Sequence, residues 1–191
     1  MKIAQIRKMD ISNGEGIGIS LFTSFCPYHC PHCHNMSTWG INSGREYTQE
    51  DKEKILELAQ PEYIHRFSIL GGEPLLPQNV YALLDLVHAI REIKPDISIW
   101  LWTGTTIKAI KQFLSGEECE DTTFASLGWT KQNKQILYCL LMECDYVIDG
   151  RFEEDKKDST LKWRGSSNQL VWNSQALHSF LLHNLYFHNL K

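Results

Sequence analysis

The sequence lacks long apolar runs and clusters of positive charge. No apolar stretch approaches the roughly 20 residues that a membrane-spanning helix needs, and Lys2, Gln5, Arg7 and Lys8 interrupt the apolar positions where a secretory leader would begin. The 19 Lys and Arg residues are balanced by 23 Asp and Glu residues, with no basic run. We therefore expect neither a membrane nor a nucleic acid as a partner, and a cytoplasmic location.

The chain is too short for two sizeable cores. With 191 residues, of which 42% are hydrophobic, it predicts a single domain over residues 1–191. Only six cysteines are present. In a reducing compartment these thiols stay reduced, so a cysteine cluster indicates metal binding or catalysis and not a disulfide framework.

Strand and helix patterns alternate along the chain. β-branched and aromatic segments predict strands at 16–25, 64–70, 97–104, 146–148 and 170–172, while apolar residues at helical spacing predict helices at 48–59, 77–94, 107–114 and 131–143. We expect an exposed acidic loop at 116–131 and a C-terminal extension at 174–191 that packs on the domain as a helix. The alternation predicts an α/β fold with mostly parallel strands, whose ends meet at one face where ligands bind.

A group of cysteines follows the first predicted strand. Cys26, Cys30 and Cys33 are spaced C-x3-C-x2-C, so a short loop can bring three thiolates to one metal centre. A closed zinc site would need His29 or His34 as fourth ligand, and no second ligand pair follows nearby. A 4Fe-4S cluster would instead keep one iron open for a substrate or cofactor.

The remaining cysteines and the C-terminal histidines carry no such pattern. The irregular spacing of Cys119, Cys139 and Cys144 is typical of buried small hydrophobic residues. His178, His183 and His188 are five residues apart, so a helix would not place them on one face and a shared metal is not expected.

Small and polar residues end the later strands. Gly71 and Gly72, in the segment Gly-Gly-Glu-Pro, let the backbone approach a ligand closely. Thr103 could offer a hydroxyl to a ligand at the same face, and Asp149 could meet a ribose or a partner protein. Taken alone, each of these segments is also an ordinary turn.

The cysteine spacing after the first strand resembles the signature of radical S-adenosylmethionine enzymes, and residues 71–74 resemble their GGEP motif. The resemblance implies an open, partial βα barrel, a 4Fe-4S cluster and S-adenosylmethionine on its open iron. An electron from the cluster would cleave the sulfonium into methionine and a 5'-deoxyadenosyl radical, which abstracts hydrogen.

Two further segments are similar to enzymes that install glycyl radicals. These are "ISNGEGIGISLF" and "CHNMSTW" around the cysteines. Residues 149–169 are similar to the D-G-x-F, K-D and R-G-S-x-N-Q elements of the activators of anaerobic (class III) ribonucleoside-triphosphate reductase. The resemblance implies that reductase as partner and a small electron donor such as flavodoxin.

Other functions remain open at this point. The pyruvate formate-lyase activases share the cysteine loop and GGEP, and other radical S-adenosylmethionine enzymes act on small molecules. Residues 164–169 would also make an ordinary polar turn before a strand. An interaction module that binds zinc is the alternative from a different class.

The resemblance also assigns residues to roles. Cys26, Cys30 and Cys33 would ligate the cluster; the cofactor-binding residues would be Cys33 itself, His32 and His34 beside the adenine, Gly71, Gly72 and Glu73 at the methionyl end, and Thr103 near the nucleoside. No catalytic side chain is assigned, because the cluster and S-adenosylmethionine carry the radical chemistry.

Three residues depart from the family pattern. His34 stands where an aromatic residue is usual, Gly18 where Arg is common, and Phe25 where Gly usually precedes the first cysteine.

Overall fold

A computed structural model describes residues 1–183. Position 188 and the end of the expected helix 174–191 lie outside the described residues. The strands are β1 (Lys2–Asp10), β2 (Gly18–Thr23), β3 (Arg45–Glu46), β4 (Arg66–Gly71), β5 (Ser98–Trp102), β6 (Tyr146–Asp149) and β7 (Leu170–Asn173). The helices are α1 (Gln49–Ala59), α2 (Val80–Ile93), α3 (Ile107–Ser115), α4 (Thr122–Ala125), α5 (Lys131–Met142) and α6 (Ser174–Leu182), with short 3-10 turns at Met36–Thr38 and Glu154–Lys156.

All seven strands form one sheet in the order β3-β1-β2-β4-β5-β6-β7. The central strands β2, β4, β5 and β6 are parallel, while β1, β3 and β7 pair antiparallel at the two sides. The mixed α/β class with a parallel centre is therefore confirmed, and the antiparallel flanks were not predicted.

The register of the central strands places the two sequence motifs side by side. Thr23, at the end of β2, pairs with Gly71, at the end of β4. The cysteine segment leaves β2 at this point and the Gly-Gly-Glu-Pro turn leaves β4 at the same level, so parallel pairing brings segments about 45 residues apart in sequence into contact at one face.

The predicted helices agree closely with the structure. Thr48 caps α1 in a reciprocal capping box with Asp51, and α2 buries Leu83, Val87 and Ile90 completely against the sheet. These helices and the strands enclose one hydrophobic core.

The N-terminal strand and part of the acidic segment differ from the predictions. β1 was not anticipated, because charged residues break its pattern and a bulge near Met9, at φ 48°, interrupts its pairing with β2. The prediction of an exposed loop at 116–131 was wrong at Thr122–Ala125. There α4 buries Phe124 against Phe113 and Trp129, with ring centroids 5.3 and 5.0 Å away.

The start of the C-terminal extension is helical. α6 follows β7 directly, and its Leu177 and Leu181 are buried in the core. Among the described residues, no helix is both long enough and apolar enough to cross a membrane.

Candidate functional site

A cleft of about 590 Å³ lies at the ends of the parallel strands. This volume suits a small organic ligand. Its lining brings together most of the residues singled out in the sequence: Cys26, Cys30, Cys33, His34, Gly71, Gly72, Glu73 and Thr103.

The cysteine loop has an unusual backbone. Phe25, His29 and His32 adopt positive φ angles of 73°, 45° and 58°, a region that costs non-glycine residues energy. The Cys33 amide donates to the Cys30 carbonyl at 3.1 Å, and the Asn35 amide donates to Cys33 Sγ at 3.4 Å. The loop is thus coiled tightly, and backbone amides already point towards sulfur.

Burial raises the pKa of two of the thiols. It raises the pKa of Cys26 to about 12, with the nearby charge of Glu73 adding to the effect, and it also raises the pKa of Cys30. Metal binding must therefore displace protons from these sulfurs, so assembly of a metal centre is favoured by higher pH.

The donor set fits a cluster better than a single ion. In residues 1–183, no three His, Cys, Asp or Glu side chains converge closely enough to hold one metal ion, as a closed zinc site would require. A 4Fe-4S cluster takes one thiolate per iron, so its ligands stand further apart. Cys26, Cys30 and Cys33 all line the cleft and offer three thiolates for such a cluster.

The histidines beside the cysteines separate into different environments. His34 lines the cleft, with its ring 6.1 Å from the ring of Phe152. His29 instead stacks on Trp39 at 4.8 Å. His32 is exposed and is not part of the cleft lining, so its contact with a cofactor stays a prediction.

The Gly-Gly-Glu-Pro turn is bonded to the cysteine loop. The Gly72 amide donates to the Thr23 carbonyl and the Glu73 amide to the Phe25 carbonyl, both at 2.8 Å. A Cβ on Gly71 would lie 2.7 Å from Thr23 O, and one on Gly72 would collide with the Phe25 carbonyl. These glycines therefore permit close approach of two protein segments, whatever ligand they also meet.

The carboxylate of Glu73 is buried at the centre of the strand ends. Oε1 accepts bonds from the Leu75 amide at 2.9 Å and the Thr103 hydroxyl at 2.8 Å, and Oε2 accepts from the Gly104 amide at 2.8 Å. Burial is the largest influence on this group and raises its pKa to about 7. Glu73 and Thr103 thus hold the ends of β4 and β5 together.

The Asp149 carboxylate is hydrogen-bonded to backbone amides. Its carboxylate accepts bonds from the Ile107 amide at 2.6 Å and the Leu170 amide at 3.2 Å. The first bond satisfies an amide in the opening turn of α3, and the second joins β6 to β7. This contact favours the turn-capping interpretation of Asp149 over a ribose contact.

The segment 164–169 forms a bonded turn over β6. Gln169 Oε1 accepts from the Gly165 amide at 2.9 Å, and Gln169 Nε2 donates to the Gly150 carbonyl at 2.9 Å. Arg164 donates to the Gln169 carbonyl and lines the cleft. Residues 164–169 thus form the polar turn that the sequence offered as an alternative interpretation. This turn is also part of the cleft wall.

Sequence reasoning missed several residues of the cleft. Tyr28, Arg151 and Trp163 line it, and Trp163 packs edge-on to Trp100 with centroids 4.7 Å apart. Arg151 occupies the unspecified position of the D-G-x-F element, so the motif did not mark it. Nothing local in the sequence marks Tyr28 or Trp163, which reach the cleft through the tertiary fold.

Two departures from the family pattern have physical explanations. Phe25 occupies a left-handed conformation, which is the reason that Gly suits this position. Gly18 pairs with Arg66 across β2 and β4, and a Cβ on Gly18 would lie 2.9 Å from the Arg66 Cβ. The fully buried Arg66 side chain, bonded to Ser68 Oγ at 2.7 Å, thus takes the space beside Gly18 on β2.

Comparison with known proteins agrees with this arrangement. Residues 12–172 match the family described as a 4Fe-4S single cluster domain. The chain is 36% identical, over 173 residues, to the anaerobic ribonucleoside-triphosphate reductase-activating protein of Vibrio cholerae serotype O1, covering 90% of this chain and 97% of that protein.

Proteins of the same name from other sources match similarly. That of Escherichia coli K12 is 35% identical over 173 residues, with 90% and 97% coverage. That of Enterobacteria phage T4 is 30% identical over 174 residues, with 91% and 95% coverage. The chain therefore belongs to the 4Fe-4S single cluster domain family, among the anaerobic ribonucleoside-triphosphate reductase-activating proteins.

Proposed function

We propose that this protein is an iron-sulfur activase that reductively cleaves S-adenosylmethionine and generates a glycyl radical on an anaerobic ribonucleoside-triphosphate reductase. One observation carries the proposal: Cys26, Cys30 and Cys33 line the same cleft as the Gly-Gly-Glu-Pro turn. It is supported by the relatives named as activating proteins of that reductase, which this chain matches over nearly their whole length.

In this proposal Cys26, Cys30 and Cys33 hold a 4Fe-4S cluster and leave its fourth iron without a protein ligand. When bound, the cluster and S-adenosylmethionine supply one-electron chemistry that yields a hydrogen-abstracting radical. The protein's own residues hold both groups, exclude water and orient the substrate. No side chain is required as an acid or base.

The Gly-Gly-Glu-Pro turn would bind the amino group of S-adenosylmethionine through hydrogen-bond acceptors of its backbone. The Gly72 and Glu73 amides are already bonded to Thr23 and Phe25, so backbone carbonyls remain the natural partners of an ammonium group. Glu73 would act by fixing the turn, because its carboxylate has three protein donors.

At the nucleoside end, His34 is the side chain best placed to lie against adenine, since it lines the cleft. Thr103 donates its hydroxyl proton to Glu73, so a contact with the nucleoside would use the hydroxyl oxygen as acceptor. His32 would join the site only after its loop turns inward.

The sheet suits an open, partial barrel of the radical S-adenosylmethionine type. The four parallel strands of its centre end at the cleft, and the short strands β3 and β7 stand at its edges. An open edge would admit the peptide loop that carries the target glycine. We propose a cytoplasmic location and a small one-electron donor such as flavodoxin.

Anaerobic reconstitution with iron and sulfide tests the cluster and the cleavage together. The wild-type chain should bind about four irons per protein chain, as one 4Fe-4S cluster requires. It should also form 5'-deoxyadenosine with dithionite and S-adenosylmethionine. Cys30→Ala should lose both, while Cys119→Ala, which changes a thiol bonded to the Ala109 carbonyl outside the cleft lining, should retain them. Stoichiometric zinc in a colourless protein without cleavage would refute the proposal.

A further inference from the structure

Arg151 connects the cysteine loop to the acidic segment that precedes α4. Its guanidinium carbon lies 4.3 Å from the ring centroid of Tyr28, between Cys26 and Cys30 in the chain. Its Nη2 is 3.0 Å from Asp121 Oδ1. The Arg151 carbonyl accepts a bond of 2.8 Å from Asn168 Nδ2, so the residue is held from its backbone as well.

Tyr28 is in turn fixed from its other side. Its hydroxyl is hydrogen-bonded to the Thr105 hydroxyl, and its ring fills the space beside Gly104, where a Cβ would lie 2.5 Å from the ring. The cation over Tyr28 is therefore held against a ring that has little freedom to move. A cation over an aromatic ring is attracted by the negative potential of the ring face.

Arg151 lies in the same cleft as the sulfur of Cys30. The Phe152 backbone is hydrogen-bonded to this sulfur, and Arg151 and Phe152 line the same cleft as Cys30. Residues 151 and 152 thus place a cation and an amide beside one proposed ligand of the cluster.

Asp121 balances this cation. Its side chain is only 9% exposed, against 44% for Arg151, and the same Oδ1 accepts from the Phe124 amide at 3.0 Å as the N-cap of α4. The carboxylate is therefore fixed in place by the fold, and the net field at the cysteine loop depends on both partners of the ion pair.

We propose that Arg151 is a positioning residue that tunes the reduction potential of the iron-sulfur cluster, with Asp121 as its fixed counter-charge. The inference rests on the cluster of the proposed function. Reduction adds one negative charge to the cluster, and a nearby cation stabilises that charge while a nearby carboxylate opposes it. Removal of either partner should shift the potential, and the two shifts should have opposite signs.

The test is a redox titration of the reconstituted full chain, followed by electron paramagnetic resonance in the absence of S-adenosylmethionine. Arg151→Met should shift the midpoint potential to more negative values, and Asp121→Asn to more positive values. Asn is also a good N-cap, so Asp121→Asn should preserve α4. Arg151→Lys keeps the charge and should shift the potential less than Arg151→Met.

Lys52→Met is the matched control. It removes one cation from an ion pair with Asp85 on the helical face, where the two atoms are 2.7 Å apart, and it should leave the potential unchanged. General disturbance of the fold would move the potentials of Arg151→Met and Asp121→Asn in the same direction. Shifts of the same sign, or shifts no larger than that of Lys52→Met, would overturn the inference, as would equal effects of Arg151→Lys and Arg151→Met.

If Arg151→Met does not assemble a cluster, Asp121→Asn decides the matter: a positive shift supports the inference, and a negative or absent shift refutes it. Iron loading that does not depend on Cys30 would instead refute the proposed function. That result is distinguishable from a normally loaded cluster whose potential does not respond to residues 121 and 151.

Discussion

The hydroxyl of Thr103 donates a hydrogen bond of 2.8 Å to Oε1 of Glu73, and both side chains are buried. The bond joins the end of β5 to the turn after β4. Because the same turn is bonded to the Phe25 carbonyl, the positions of the cysteine loop and of two strand ends depend on one buried carboxylate.

Glu73 should make stability depend on pH. Its pKa is raised from 4.5 to about 7 in the folded chain, so the folded state holds this proton more tightly than the unfolded state does. The resulting stabilisation is fully present below about pH 4.5 and is lost as the pH rises through 7, with a size on the order of 3 kcal/mol.

Urea unfolding of the wild type and Glu73→Gln at pH 5 and pH 8 measures this effect. Gln cannot ionise, so the stability advantage of the wild type over the variant should be smaller at pH 8 than at pH 5. An advantage that is constant, or that grows with pH, would show that Glu73 is ionised throughout.

Thr103→Val should destabilise the fold. The substitution keeps the shape of the side chain but removes a donor from a buried carboxylate, at a cost of about 1–3 kcal/mol. Thr103→Ser keeps the hydroxyl and is the matched control. Chemical denaturation of both variants checks the prediction, and a Val variant as stable as the Ser variant would mean that the bond to Glu73 contributes nothing.

Gly72→Ala should be more harmful than Gly116→Ala. A Cβ at position 72 would collide with the Phe25 carbonyl, whereas Gly116 has open space around it and only a left-handed φ of 82°. We expect a loss of about 1–2 kcal/mol at position 116 from the backbone conformation. At position 72 we expect a larger loss together with weaker iron loading, measured by denaturation and by iron content.

At position 25, Gly should give a more stable protein than Ala, which is the reverse of the usual order. Ala normally stabilises a chain relative to Gly, but position 25 has a φ of 73°, where an L-residue pays about 1–2 kcal/mol. Phe25→Gly should therefore be more stable than Phe25→Ala in thermal unfolding. The opposite order would indicate that the loop relaxes to an ordinary backbone conformation.

The sequence was most informative where a pattern was local. The capping signal at Thr48 and the apolar stripe of α2 predicted those helices to within a few residues, and the ends of β4, β5 and β6 were marked by Gly, Thr or Asp. The cysteine spacing and Gly-Gly-Glu-Pro identified one wall of the cleft, because each motif is a continuous segment.

Features that depend on distant contacts were not predictable. Strand β1 pairs through its backbone, so its charged side chains hid it from pattern analysis. Arg151, Tyr28 and Asp121 meet only because three separate loops converge at the strand ends. Glu73 was expected at the methionyl end of the cofactor, and its motif gave no indication that its carboxylate would be bonded to Thr103 and two backbone amides.

Electron paramagnetic resonance of a reductase treated with the reduced protein is the most direct test of the central claim. With S-adenosylmethionine and an anaerobic ribonucleoside-triphosphate reductase from the same source, the wild-type chain should produce the doublet of a glycyl radical, and Cys30→Ala should not. A wild-type chain that carries a full cluster and cleaves S-adenosylmethionine, yet leaves a competent reductase without that doublet, would contradict the account.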